Sequence, residues 1–263
     1  MTTSLVNIRR EGSALLVELN NPDRLNAFGA AMFAELEPIW KEAASDPTLR
    51  AIILTGAGRG FCAGADVGGT LSRERKPRGP SVDEELSFLP GDHVDVPVIV
   101  AVNGVCAGGG LHFVADGDIV IASEAASFLD PHVSVGQVTG IEPVSLSLRV
   151  ATPHLMRLAV LGGSERLSAQ QALAIGLVSE VVAPDELLPR AFELAGQIAA
   201  NSPAAVAASR AILRQHARRQ LHEAMEDGWN AVQRHWRHPD STEGPAAFRQ
   251  KRPPEWVVDR PEP

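Results

Sequence analysis

Short apolar runs alternate with amphipathic helical patterns along the first half of this chain, and that alternation restricts its fold more than any other feature. Residues 13–19 and 50–55 are rich in Leu, Ile and Val and bounded by polar residues or Gly, which predicts strands. Between them Phe28, Met32, Phe33, Leu36 and Trp40 recur at helical spacing while Glu35, Glu37, Lys41 and Glu42 take the other face, the pattern of a helix packed on a sheet. A second round follows, with a buried strand at residues 98–102, a Gly-rich turn and short helix at 108–115, and a strand at 119–122. Strands alternating with helices predict an α/β fold.

The pattern breaks between residues 70 and 95, where Arg73-Glu74-Arg75-Lys76-Pro77-Arg78 precedes Gly79-Pro80, and residues 71–80 read as a mobile loop. Farther on, Ser168-Ala169-Gln170-Gln171 has the spacing of a capping box, and Gly176 is placed to end that helix in a left-handed conformation. Helix-forming sequence then dominates, over residues 185–200, 203–218 and 221–236. The expected division is a core at residues 1–195 and a helical region at 196–263. No repeat of fixed period interrupts this reading.

Composition narrows the partners. With 24 Lys and Arg against 32 Asp and Glu, the formal charge of -8 lacks the basic excess of a nucleic-acid binder. The longest apolar stretch, residues 96–107, is broken by Pro97, Asn103 and Gly104 and falls short of the roughly 20 residues a spanning helix needs, so no membrane partner is expected. Residues 1–7 are polar and run into Arg9, Arg10 and Glu11, unlike a secretory signal, which predicts a cytoplasmic address. Cys62 and Cys106, both in small-residue surroundings, read as buried free thiols. Tyrosine is absent, which removes phenol chemistry.

Two Gly-rich loops carry the chemical signal. Gly60-Phe61-Cys62-Ala63-Gly64-Ala65-Asp66 follows the second strand, and Asn103-Gly104-Val105-Cys106-Ala107-Gly108-Gly109-Gly110 follows the third. Residues without bulky side chains let a ligand approach the backbone, and N–H groups at a following helix start point outward. Together the loops can form a two-donor oxyanion hole. Neither fits a dinucleotide fingerprint or a P-loop.

In combination with Arg24-Leu25-Asn26-Ala27, Asp118 at a strand start, residues 128–136, Leu167-Ser168-Ala169 through Gly176-Leu177-Val178, and the ending Phe248-Arg249-Gln250-Lys251-Arg252-Pro253, these loops resemble the crotonase (enoyl-CoA hydratase/isomerase) superfamily over nearly the whole chain. The resemblance implies a ββα spiral through about residue 182 followed by helices that trimerise, often into hexamers, and cover the acyl pocket. It implies that the N–H groups of Ala65 and Gly109 hold a thioester oxygen, that Leu25, Ala63, Asp66 and Val67 line the CoA channel, and that Lys251 lies near the CoA phosphate. No permanently bound cofactor is expected, coenzyme A entering as part of the substrate.

This sequence departs from the family at the two positions where hydratases carry glutamates, which here are His112 and His132. Imidazole can serve as base or acid near neutrality. The leading expectation is hydration of a 2-enoyl-CoA with His132 and His112 sharing the acid and base roles, and Glu142 as a further candidate acid. Isomerisation or thioester hydrolysis on a His base, and a non-catalytic acyl-CoA-binding protein, are the alternatives. The spacing of His93, His112, His132 and His154, with Asp130, matches no metal motif, so no metal site is expected.

Overall fold

The alternation read from the sequence is divided between two sheets. In the computed structural model, which describes residues 4–65 and 81–257, an antiparallel pair, β1 (Val6–Glu11) and β2 (Ala14–Leu19), leads into α1 (Ala30–Ser45), β3 (Ala51–Gly56) and β4 (Gly60–Cys62). After α2 (Val82–Glu85) come β5 (Val98–Val102), β6 (Val105–Ala107), α3 (Gly110–Asp116), β7 (Ile119–Ser123) and β8 (Ser127–Leu129). Next are α4 (Glu142–Leu146), α5 (Thr152–Leu161), β9 (Leu167–Ser168), α6 (Ala169–Ala174) and β10 (Glu180–Val182), and the chain ends in α7 (Leu187–Ala199), α8 (Pro203–His235) and α9 (Asp240–Gln250).

The larger sheet has the order β1-β2-β3-β5-β7-β10 and the smaller one β4-β6-β8-β9. Three times, from β3 to β4, β5 to β6 and β7 to β8, the chain leaves the large sheet, turns a corner within a few residues and adds a strand to the small one. Each round stacks on the one before, giving a spiral. Because β4, β6 and β8 pair in parallel, the segments that follow them leave at a common edge, where parallel sheets place their ligands.

Period-two alternation sorts the core. Val17, Leu19, Ile52, Leu54, Val98 and Val100 face inward toward α1 and the small sheet, whereas Leu16, Ile53, Ile99 and Ile121 face Leu187, Ala191 and Ala195 of α7 on the opposite side. Near-continuous apolar strands are what a sheet covered on both faces requires.

Several elements differ from expectation or lay beyond it. β1 gave no signal because only Val6 of its six residues is buried, as on an exposed edge. The strands of the small sheet run two or three residues, too short for periodicity to register. In the stretch where patterning fails, Ser81 and Glu84 form a reciprocal capping box that starts α2. The helices expected at 203–218 and 221–236 are one 33-residue helix, α8, since Arg218-Arg219-Gln220-Leu221 contains no breaker. The capping box at Ser168 is present, and Gly176 has a φ of +82°. The loop read at 71–80 lies outside the described residues. Among the described residues no helix is long and apolar enough to cross a membrane.

Candidate active site

The Leu25-Asn26 turn anchors the first glycine loop. Both residues are left-handed, with φ of 51° and 57°, and fully buried Asn26 donates from Nδ2 to the carbonyls of Ala57 and Gly60 while its Oδ1 accepts from the N–H of Asn21. Ala63 N–H donates to the Leu25 carbonyl at 2.9 Å, so these two expected channel residues lie together on half-exposed backbone. Expected channel residues Asp66 and Val67 lie outside the described residues. Lys251 is exposed at the end of α9, in a left-handed cap.

The two loops meet at Gly64. A Cβ there would lie 2.8 Å from the Gly109 nitrogen and 2.8 Å from the Ala107 oxygen, and its φ is +84°. Ala65 N–H is the next donor along from Gly64, which brings it to the same meeting of the two loops as Gly109 N–H. Gly108 N–H goes to the Leu129 carbonyl and Leu111 N–H to Gly108, whereas the N–H groups of Ala65 and Gly109 make no backbone bond among the described residues. The Phe28 ring walls the site, since a Cβ on Gly109 would come within 2.6 Å of its Cζ.

Beside the second loop is a carboxylate held between two imidazoles. Glu142 Oε1 lies 3.2 Å from His112 Nε2 and 3.5 Å from His132 Nε2. His132 Nδ1 lies 2.6 Å from Asp130 Oδ1, and the Thr139 hydroxyl donates to the other Asp130 oxygen. With Nε2 donating to the carboxylate, His112 presents a lone pair at Nδ1, which among the described residues is the one buried side-chain nitrogen or oxygen without a protein partner. The His132 ring abuts the second glycine loop, its Cε1 only 3.4 Å from where a Gly108 Cβ would stand.

Topology puts each group there. His112 is on the first turn of α3, directly after Gly109, and Asp130 and His132 follow β8, the next strand of the small sheet. Glu142 opens α4, which α8 supports through paired glycines: a Cβ on Gly228 would strike the Gly140 carbonyl at 2.1 Å. α9 buttresses the His132 turn, with Gln137 Nε2 donating to the Ser241 carbonyl and Gly244 against the Val135 carbonyl.

Burial is the largest single influence on Glu142 and opposes its charge, but the charges of His132 and His112 and the hydrogen bond from His112 outweigh it, and the carboxyl is held well below its usual range. For His132 burial likewise opposes the charged form; the Glu142 charge together with the Asp130 hydrogen bond and charge overcomes it and raises the imidazole to about 9.

Asp130 and Thr139 were not among the expected site residues. Asp130 sits two residues before His132, a spacing that places both on one turn, while nothing in the sequence points to Thr139. Asp130, His132 and Glu142 offer ligand atoms within 4.8 Å of one another. The imidazole meets the two carboxylates with different nitrogens, however, which is the arrangement of a hydrogen-bonded relay rather than of ligands sharing one ion. His93 Nε2 is bonded to the Ser87 carbonyl and His154 is exposed on α5, so neither joins the cluster. Cys62 and Cys106 are buried free thiols on paired strands.

Paired strands that turn three times between two sheets, with a carboxylate–imidazole cluster at their common edge, define a protein of the crotonase class. The chain belongs to the enoyl-CoA hydratase/isomerase family, whose sequence model matches residues 9–259. Among curated relatives it is similar to a carnitinyl-CoA dehydratase of Proteus mirabilis (strain HI4320), 34% identical and covering 97% of this chain and 99% of that protein. Among solved structures it is similar to an enoyl-CoA hydratase/isomerase from Mycobacterium paratuberculosis, with 39% identity, 97% and 99% coverage and a TM-score of 0.73. A carnitinyl-CoA hydratase from Mycobacterium avium matches with 31% identity, 98% and 100% coverage and a TM-score of 0.84.

Proposed function

We propose that this enzyme adds water across, or removes it to form, the double bond of a 2-enoyl-CoA thioester. The N–H groups of Ala65 and Gly109 hold the thioester oxygen and stabilise the enolate, a single such donor being worth about 3 kcal/mol of barrier. His112 Nδ1 takes a proton from water, whose oxygen bonds to the β-carbon, and the Glu142 carboxylate at its Nε2 orients the ring and stabilises the resulting imidazolium. His132, with a pKa raised to about 9, carries a proton at neutral pH and delivers it from Nε2 to the α-carbon. Glu142, in reach of both Nε2 atoms, holds the two rings in place while the water-derived proton leaves His112 from Nδ1 to solvent, which restores its starting tautomer, and His132 Nε2 takes up another proton.

The observation that carries this reading is the buried, unpartnered Nδ1 of His112 on an imidazole backed by a carboxylate. A ring nitrogen with no protein partner, on an imidazole whose other nitrogen meets a carboxylate, is a free proton acceptor. Names of relatives that specify hydration or dehydration of CoA thioesters support the same chemistry.

Incubation with 2-enoyl-CoAs of graded chain length, followed by conjugated-enone absorbance and product mass, tests the proposal. Loss of absorbance with gain of one water is expected, and His112→Ala, His132→Ala and Glu142→Gln each reduce the rate by about 10²-fold or more. Release of free CoA thiol would identify hydrolysis instead, a double-bond shift without mass change would identify isomerisation, and binding without turnover would leave a carrier.

The same reading has coenzyme A leave with the product, and no resident cofactor. A homotrimer or hexamer fits the exposed apolar residues Met156, Val160 and Phe248. The helical region 196–263 serves assembly and pocket cover, which the contribution of α8 to the cavity beside His112 supports. Two reduced, buried thiols suit a cytoplasmic address.

A further inference from the structure

A cavity of about 640 Å³ opens beside His112 and runs along α3 to its C-terminal end at Ala115 and Asp116, beneath α8. It holds roughly 20 waters' worth of space, far more than a four-carbon acyl group fills. Its walls include Leu86, Leu213, Leu221 and Met225. Since α3 has seven residues and starts at the oxyanion turn, the far end of the cavity lies about 10 Å from where the thioester carbonyl is held. For a substrate bound as proposed above, with its β-carbon at His112, this is the space open to the acyl group, since His112 lines it.

The far end is charged, with Arg149, Arg210, Arg214, Arg218, Asp83, Asp116 and Asp118 among its lining residues. Arg210 pairs with Asp118 through Nε at 2.7 Å, and Arg214 with Asp116. Arg149 differs. Its Nη2 goes to the main-chain carbonyls of Gly117 and Ala115, and among the described residues neither Nε nor Nη1 makes a hydrogen bond and no carboxylate pairs with it directly. Burial presses against its charge, and only the more distant Asp118 and Asp116 relieve that pressure. A half-buried guanidinium with donors to spare, lining a largely apolar cavity, suits a carboxylate. A quaternary ammonium would meet the Arg149 guanidinium there, with no Phe or Trp among the described lining residues to receive it.

Resting on the hydratase reading, we propose that this enzyme acts on acyl-CoA thioesters with a bulky apolar acyl body ending in a carboxylate, and that Arg149 is the residue that selects it. The carboxylate accepts from Nε and Nη1 of Arg149 while the acyl body displaces water from the walls.

The test uses three 2-enoyl-CoAs of equal, medium chain length ending in methyl, carboxylate or trimethylammonium, with saturated analogues for calorimetry. A charge-assisted hydrogen bond predicts a KM about ten- to a hundredfold lower for the carboxylate than for the methyl ending, with the trimethylammonium ending weakest. In Arg149→Met the ratio of the carboxylate to the methyl KM collapses toward one, whereas Arg149→Lys keeps part of the preference. If the wild type prefers the methyl or trimethylammonium ending, or Arg149→Met retains the carboxylate preference, the proposal is wrong while the hydratase reading stands. If none of the saturated analogues binds, both are wrong. The comparison of the three endings on the wild type needs no variant, so it holds even if Arg149→Met fails to fold.

Discussion

Replacing Glu142 by Gln removes one negative charge from between two imidazoles while keeping the side chain's size. In the wild type His132 is raised from 6.5 to about 9, chiefly by the Glu142 charge and then by Asp130, against burial. That rise corresponds to about 3 kcal/mol of preference for the charged ring. The ring keeps 24% of its side-chain surface exposed, which softens the burial effect and favours the raised value. In Glu142→Gln the burial effect remains and the larger attractive partner is gone, so His132 should titrate near or below its ordinary value, held only by Asp130. Imidazole resonances followed through a pH titration read this directly: the His132 signal of the wild type stays in its charged position at neutral pH and moves near 9, while that of the variant moves at least one pH unit lower. The same attraction contributes to folding. With the folded pKa above the unfolded one, its contribution is complete below about pH 6.5 and is lost as pH rises through about 9. Urea unfolding of the wild type should therefore weaken by up to about 3 kcal/mol across that window, and that of the variant by much less. The lowered pKa of Glu142 describes the same attraction from its other partner, so the two are not added. A wild-type His132 that titrates near 6.5, or a variant with an unchanged titration, would refute this electrostatic account of the site.

Gly64→Ala should lower kcat by about 10²–10³-fold, since its Cβ would press on the Gly109 nitrogen and the Ala107 oxygen at 2.8 Å, and should cost a further 1–2 kcal/mol or so for a left-handed alanine; Gly196→Ala, whose Cβ meets nothing, should instead stabilise by about 0.5–1 kcal/mol in the same urea assay. Asn26→Ala leaves the carbonyls of Ala57 and Gly60 and the N–H of Asn21 short of a partner and should destabilise by about 2 kcal/mol or more, read as a lower urea midpoint. Asp130→Asn keeps the shape but loses the charge that steadies His132 Nδ1; kcat should fall about tenfold or more with a pH profile displaced downward, whereas a purely structural role would leave the profile in place. Cys62 and Cys106 are fully buried, with burial pushing the Cys62 thiol up to about 12 and Cys106 well above its usual value, so thiol reagents should label them only at the rate of unfolding.

Local signals carried the sequence reading as far as they reach. The apolar runs that became β2, β3, β5 and β7, the helical face of α1 and the capping box at Ser168 were legible because each depends on residues a few positions apart. The two glycine loops were legible as a pair, and His112, His132 and Glu142 as candidates by position in a resemblance. The small sheet was not legible, because its strands of two or three residues are defined by pairing with strands far along the chain rather than by their own pattern. Nor could spacing reveal that Glu142 stands between both imidazoles, since that depends on Gly140 meeting Gly228 and letting α8 press α4 into place. The orphaned Nδ1 of His112 and the setting of Arg149, which no carboxylate pairs directly among the described residues, likewise exist only once distant segments are packed together, whereas Asp130 meets His132 within one turn. A sequence fixes which groups are present and how the backbone bends locally; burial and the distances between charges, which set pKa values and leave donors unpaired, arise from the packed chain alone.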